Sequence, residues 1–137
     1  LNALQLASAY RVLASGGLYR APRLIQRMEY ADGKESMQPR ADERRVFRRS
    51  TVEALLPMLE AATSKSGTGW RAQIPGYRVA GKTGTAWKFA VGGYSEDKYI
   101  SIFAGLVPAS SPRLATVVVI DEPTGKLYKR KLKARYL

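Results

Sequence analysis

With 137 residues, 45% of them apolar and 25% charged, the chain has material for one hydrophobic core and an ordinary globular composition. It has no cysteine and no histidine, which excludes disulfides, thiolate or imidazole metal sites and every catalytic scheme that needs an imidazole base. The formal charge of +12 invites a nucleic-acid reading, but Lys126, Lys129, Arg130, Lys131, Lys133 and Arg135 supply half of it from the C-terminal end. Such an end reads as a solvated tail, and no nucleic acid, metal or cofactor is expected.

No apolar run approaches the roughly 20 residues of a membrane span. The chain opens at Leu1 without a signal peptide, and its first residues, through Tyr10, read as the inside of a helix. It is therefore expected to be a piece of something longer. Residues 3–15 predict a mostly buried helix, closed by Gly16-Gly17. Residues 18–30, with Pro22, predict extended structure, and Ala31-Asp32-Gly33-Lys34 a turn. Residues 40–49 are strongly basic and expected to be exposed. Ser50-Thr51-Val52-Glu53 has the form of a capping box opening a helix to about Thr63, in which Pro57 predicts a kink or a start nearer Leu56. Residues 64–69 predict a flexible loop.

Residues 77–85 predict a strand, residues 87–94 a connecting loop with Gly92-Gly93, and residues 99–107 a second strand. In the second, Ile100, Ile102, Ala104 and Leu106 alternate with Tyr99, Ser101, Phe103 and Gly105, so one face is more apolar. After a turn at residues 108–112, residues 115–121 predict a third strand, apolar on both faces and hence central in its sheet. Helices followed by hairpin-linked strands predict an α+β fold, with helices packed on an antiparallel sheet and the Lys82 strand outermost.

Two readings compete for Lys82. Gly76-Tyr77-Arg78-Val79-Ala80-Gly81-Lys82-Thr83 matches the P-loop pattern G-x-x-x-x-G-K-[ST], and residues 117–121 would serve as an apolar strand ending in a magnesium-holding Asp121. A P-loop, however, must follow a buried strand and open into a helix. Here Gln73-Ile74-Pro75 precedes it, while Gly84, Gly92 and Gly93 follow, so a P-loop nucleotide-binding protein is the weaker alternative. In the second reading, Lys82-Thr83-Gly84-Thr85 lies on an edge strand. Glycine lets a ligand approach the backbone, two hydroxyls donate, and Lys82 supplies a charge for an acyl group or carboxylate.

A bare Lys-Thr-Gly turns up by chance in about one chain in thirty of this length. The longer stretch Ile74-Pro75-Gly76-Tyr77-Arg78-Val79-Ala80-Gly81-Lys82-Thr83-Gly84-Thr85-Ala86 is far more specific, and it resembles the transpeptidase domain of class B penicillin-binding proteins of the FtsI type, which build septal peptidoglycan. Leu4-Gln5-Leu6-Ala7-Ser8-Ala9-Tyr10, Gly67-Thr68-Gly69, Phe103-Ala104-Gly105-Leu106-Val107-Pro108 and Val117-Val118-Val119-Ile120-Asp121-Glu122-Pro123 fit as well. The resemblance covers residues 1–128 as a partial β-lactamase/transpeptidase-like domain, and residues 129–137 form a basic tail unlike the family. It implies catalytic roles for Lys82, as the ammonium beside the serine network, and for Thr85, whose N–H would be one arm of the oxyanion hole. It implies substrate binding by Thr83, Gly84 and Thr85. Trp87 and Tyr94 are further candidates for the groove, although packing is the commoner fate of such aromatics.

The implied activity is serine-type D,D-transpeptidation on the periplasmic side of the bacterial inner membrane, with the parent anchored upstream. Implied partners are the D-Ala-D-Ala stem peptide, β-lactam antibiotics, the upstream part of the same domain and divisome proteins. Two family motifs are missing. Ser-x-x-K occurs only as Ser95-Glu96-Asp97-Lys98, read as a chance match in an exposed loop, and Ser-x-Asn is absent because the only asparagine is Asn2. Alone, the chain is expected to be inactive, an inert or substrate-binding piece.

Overall fold

In chain order the elements are α1 (Ala3–Ala14), β1 (Leu18–Tyr19), β2 (Arg27–Glu29), β3 (Glu35–Met37), β4 (Arg44–Arg45), α2 (Arg49–Ala62), a 3-10 turn (Trp70–Ala72), β5 (Ala80–Ala90), β6 (Gly93–Val107) and β7 (Leu114–Asp121). The computed structural model describes residues 1–90 and 93–124, so the basic tail lies outside the described residues.

Helix α1 begins with a capping box. The Asn2 side chain accepts from the Gln5 N–H at 2.9 Å, and Gln5 Oε1 accepts from the Asn2 N–H at 2.9 Å. The helix therefore starts at Ala3, and the expectation that Leu1 and Asn2 lie inside it is wrong. Gly16 and Gly17, at φ 67° and 96°, end it in the left-handed region that favours glycine. Only Val12 of this helix is buried, so it is amphipathic rather than mostly buried, and it leans on β6 and β7.

The extended segment after α1 forms two small antiparallel pairs, β1 with β4 and β2 with β3. The predicted turn closes the second pair, with the Gly33 N–H donating to Tyr30 O at 2.9 Å. Residues 40–49 are exposed, as expected, and several of the basic residues here also act as clamps. Arg45 Nη1 donates to the Gly16 and Phe47 carbonyls at 3.1 Å each, and Arg44 stacks over the Tyr19 ring at 5.6 Å. Arg11 donates to the Arg20 carbonyl, and Arg20 pairs with Glu43.

Helix α2 starts at Arg49, with Arg48 at the cap position and no side-chain cap bond. The predicted capping box at Ser50 therefore does not form. Glu53 pairs instead with Arg49, one turn earlier, at 3.0 Å. Val52, Leu55, Leu56 and Leu59 fall on one face, and Val52 is buried there. Pro57 lies on the opposite, exposed face. The carbonyl it leaves without a partner there faces solvent, so the helix does not have to restart at Leu56.

The end of α2 is tied to the start of β5. The buried Thr63 hydroxyl lies 2.9 Å from Glu60 O and 2.5 Å from Val79 O. One guanidinium edge of Arg78, Nε and Nη2, meets both Glu60 oxygens, with Nη2–Oε2 at 2.6 Å, and this hydrogen bonding holds the Glu60 carboxyl below its ordinary range.

The main sheet has the order β5-β6-β7, all antiparallel. Among the described residues β5 is an edge strand, as expected, and so is β7, which the sequence placed centrally; β6 is the middle strand. Val118, Val119 and Ile120 are 46%, 48% and 39% exposed. The apolar residues on both faces of β7 suit a strand covered on both sides, whereas α1 covers only one.

The β5–β6 pairing also takes in residues 87–90 and 93–94, which were expected to be loop. Edge-to-face aromatic pairs carry it, Trp87 with Tyr99 at 5.4 Å and Phe89 with Tyr94 at 5.7 Å. Lys88 reaches across β6 to Asp121 at 2.8 Å and Glu122 at 2.8 Å, and these hydrogen bonds hold the Lys88 ammonium above and the Glu122 carboxyl below their ordinary values.

The core gathers Val52, Val79, Ala80, Ala104, Leu106 and Ala109. Ser101 is also fully buried, and its hydroxyl meets no hydrogen-bond partner among the described residues. An unsatisfied buried hydroxyl is a cost, so Ser101→Ala is expected to raise the unfolding free energy by about 1 kcal/mol. Urea titration checks this, and a variant less stable than the parent chain refutes it.

Candidate active site

Lys82, Thr83, Gly84 and Thr85 occupy four successive positions of β5, on the edge that no other described strand covers. Strand alternation sends Lys82 and Gly84 to one face and Thr83 and Thr85 to the other. A side chain at Gly84 would meet no atom within 4 Å, so the backbone there is bare to an approaching ligand. Three residues earlier, the strand is pressed against the sheet. A Cβ on Gly81 would lie 2.6 Å from the Phe103 ring and 2.7 Å from Ala104 O.

The Lys82 ammonium donates to Thr83 O at 2.9 Å and lies 3.5 Å from Thr68 Oγ1. Thr83 Oγ1 donates to the same Thr68 oxygen at 2.9 Å. Among the described residues Lys82 makes no ion pair, so its charge remains available to a ligand. Thr68 is the residue that sequence reasoning passed over. It appeared only as the centre of Gly67-Thr68-Gly69, and its two flanking glycines were the available signal. Nor is its loop merely flexible, because Gly67 N–H donates to Ser64 O and Gly69 N–H to Ala62 O, both at 2.9 Å.

The remaining candidates are spread along the hairpin. Trp87 follows Thr85 on the same face and is half exposed against Tyr99. Tyr94 pairs with Phe89, four residues beyond Thr85, or about 13 Å along the strand. Strand pairing thus puts Trp87 beside the threonines and Tyr94 away from them. Ser95 and Lys98 lie within β6 rather than in a loop, where β6 runs from Tyr94 to Tyr99 against only Phe89 to Trp87 of β5. Ser95 Oγ accepts from the Lys98 backbone N–H at 3.2 Å, and Lys98 Nζ points to Glu122 at 3.5 Å. A nucleophile–lysine pair at this spacing needs a helix turn to bring the side chains together, and a bulged strand does not provide one. The P-loop alternative fails on the same ground, since Thr83 continues into a strand and no helix N-terminus follows Lys82.

An antiparallel sheet flanked by two helices, with a Lys-Thr-Gly edge strand, defines a penicillin-interacting fold. A family model for the penicillin binding protein transpeptidase domain matches residues 1–136, and the chain belongs to that family. Over 126 residues it is 42% identical to the peptidoglycan D,D-transpeptidase FtsI of Escherichia coli K12, covering 91% of this chain and 20% of that protein. It is 34% identical over 131 residues to the penicillin-binding protein PbpB of Mycobacterium tuberculosis, covering 90% of this chain and 19% of that one. Among solved structures it superposes on penicillin binding protein 3 of M. tuberculosis with a TM-score of 0.82 at 35% identity, over 87% of this chain and 28% of that one. That protein has been solved in its apo form and in complexes with aztreonam and ampicillin. The chain spans about a fifth of the length of these curated relatives.

Proposed function

We propose that this chain supplies the Lys-Thr-Gly wall of a serine D,D-transpeptidase site for septal peptidoglycan cross-linking, and that a second segment supplies the nucleophile. The convergence of the Lys82 ammonium and the Thr83 hydroxyl at the open edge of β5, in a chain of this family, carries the reading. In the assembled site a serine oxygen attacks the carbonyl carbon of the D-Ala-D-Ala peptide bond. The carbon–nitrogen bond breaks and D-alanine leaves with the proton. The amine of a neighbouring stem peptide then takes the acyl group and restores the serine.

In this reading Lys82 stabilises the serine network, while Thr83 and Thr85 hold the substrate carboxylate against the bare backbone at Gly84. The Thr85 N–H meets the developing oxyanion, a kind of donor whose removal costs about 10²–10³ in rate. Trp87 borders the groove on the Thr85 side. β-Lactams occupy the same wall through their own carboxylate. In this reading residues 1–128 are the domain piece and residues 129–137 a stretch of basic composition, while the family model matches through residue 136. No helix among the described residues is long and apolar enough to cross a membrane. The parent protein works on the periplasmic side of the inner membrane, held there by a segment other than this one, among divisome proteins.

Fluorescent penicillin tests the reading, applied to this chain alone and to the chain mixed with a serine-bearing upstream segment of a relative. Label on the upstream segment, and only in the mixture, is the expected result. Label on this chain by itself would mean that a serine such as Ser95 is reactive, and the reading would fall. No label in either sample would leave a binding-only or inert piece.

A further inference from the structure

Lys82 and Thr83 are consecutive strand residues, so their side chains leave the backbone on opposite faces and their polar ends should diverge. In this structure they converge on one oxygen, Thr68 Oγ1, at 3.5 and 2.9 Å. Only a group standing at the open edge of β5 can reach both faces. A hydroxyl oxygen has two lone pairs, so Thr68 can accept from both and keep its own proton for an incoming acceptor.

The loop that carries Thr68 is built to hold it there. Besides the two backbone bonds to Ser64 and Ala62, its glycines let it press onto the end of α2. A Cβ on Gly67 would run into Ala62 O, and one on Gly69 would lie 3.3 Å from the same oxygen. Gly69 is buried while Thr68 between the two glycines is exposed. Thr63, at the same helix end, binds Val79 O and so fixes the start of β5. The helix end therefore anchors both the strand and the loop that reaches over its edge.

We propose that Thr68 is a positioning residue that gathers the Lys82 ammonium and the Thr83 hydroxyl into one receptor for a ligand carboxylate. This rests on the function proposed above. Without the Thr68 oxygen, Thr83 is free to change its χ1 rotamer, and Lys82 keeps its bond to Thr83 O but loses the longer contact that joins it to the Thr83 hydroxyl. The strand and its fold are untouched, because the Thr68 side chain contributes nothing to the core.

Thr68→Val and Thr68→Ser, each assembled with the serine-bearing segment, are compared for acylation by benzylpenicillin and by its methyl ester, with binding and acylation steps resolved. Thr68→Val is expected to lose about 3- to 10-fold in efficiency toward benzylpenicillin, the size of one hydrogen bond, in the binding step. Thr68→Ser should restore it, and the ester, lacking the carboxylate, should not distinguish Val from wild type. Independently of any chemistry, three-bond NMR couplings in this chain should report a single Thr83 χ1 rotamer in the wild type and Thr68→Ser and an averaged one in Thr68→Val. Equal efficiency and an unaveraged rotamer in Thr68→Val would overturn the proposal. So would a loss in Thr68→Ser as large as in Val, or an unfolded Thr68→Val, since either makes the role one of packing. If the wild-type assembly is not acylated, the function proposed above fails, and the rotamer measurement still decides the role of Thr68.

Discussion

Replacing Lys82 with alanine is expected to lower β-lactam acylation of the assembled site by about 10²–10³-fold, as large as the loss of an oxyanion donor, because the serine network loses its ammonium. The argument is local. Lys82 lies exposed on the edge strand without an ion-pair partner among the described residues, and its two contacts are to Thr83 O and Thr68. Nothing in the core depends on it, so the far-UV spectrum and melting temperature should match those of the parent chain. Lys82→Arg is the informative companion, because a planar fork cannot occupy the place of a compact ammonium; it should recover only part of the loss. Stopped-flow acylation of the mixed assembly measures both. Wild-type rates in Lys82→Ala would remove Lys82 from the chemistry, whatever its position on the strand.

Leu106→Ala is expected to destabilise the chain by about 2–5 kcal/mol, the range for a large core side chain truncated where the site cannot collapse. Leu106 has 0% exposure and stands opposite Ala80, the first residue of β5, in the sheet register. The core here is small, and several of its members are alanines with no volume to give, namely Ala80, Ala104 and Ala109. Since whole domains are stable by only about 5–15 kcal/mol, this one cavity should remove much of the cooperative transition. Urea unfolding followed by Trp fluorescence reads it directly. The two variants separate fold from site: Leu106→Ala should lose binding because β5 loses its support, Lys82→Ala without any loss of structure. A Leu106→Ala change below about 1 kcal/mol, the ordinary size of a point substitution, would show that the core lies elsewhere.

Much of this was legible along the chain because the signals were local. The Gly16-Gly17 stop, the Asp32-Gly33 turn and the strand at residues 99–107 each depend on a few neighbouring residues and formed as read, although Ser101 and Gly105 on the strand's less apolar face are buried too. The errors have local causes too. Ser50 and Glu53 have the spacing of a cap, but the helix begins two residues earlier, with Arg48 at the cap position, and Glu53 pairs with Arg49 instead. Asn2 and Gln5 formed the capping box that was not looked for. Gly92-Gly93 suggested a long loop, yet aromatic pairs across the strands extended the hairpin to Phe89 and Tyr94.

What the sequence determined by itself is the chemistry available. With no histidine or cysteine, imidazole and thiolate chemistry is excluded, and Lys82-Thr83-Gly84-Thr85 inside a wider family-like stretch supplies an ammonium and hydroxyls as candidate ligand-binding groups, identities that no folding can alter. What only the tertiary structure decided is which of these groups act together. Among the described residues strand order puts β6 in the middle and β7 at an edge, because pairing partners choose one another by packing and not by their own apolar pattern. Lys82 and Thr83, which strand geometry sends apart, meet only because a loop 15 residues upstream is docked on the end of α2 and places Thr68 between them. No periodicity records such a contact, because it is set by the distance between two elements and not by either one.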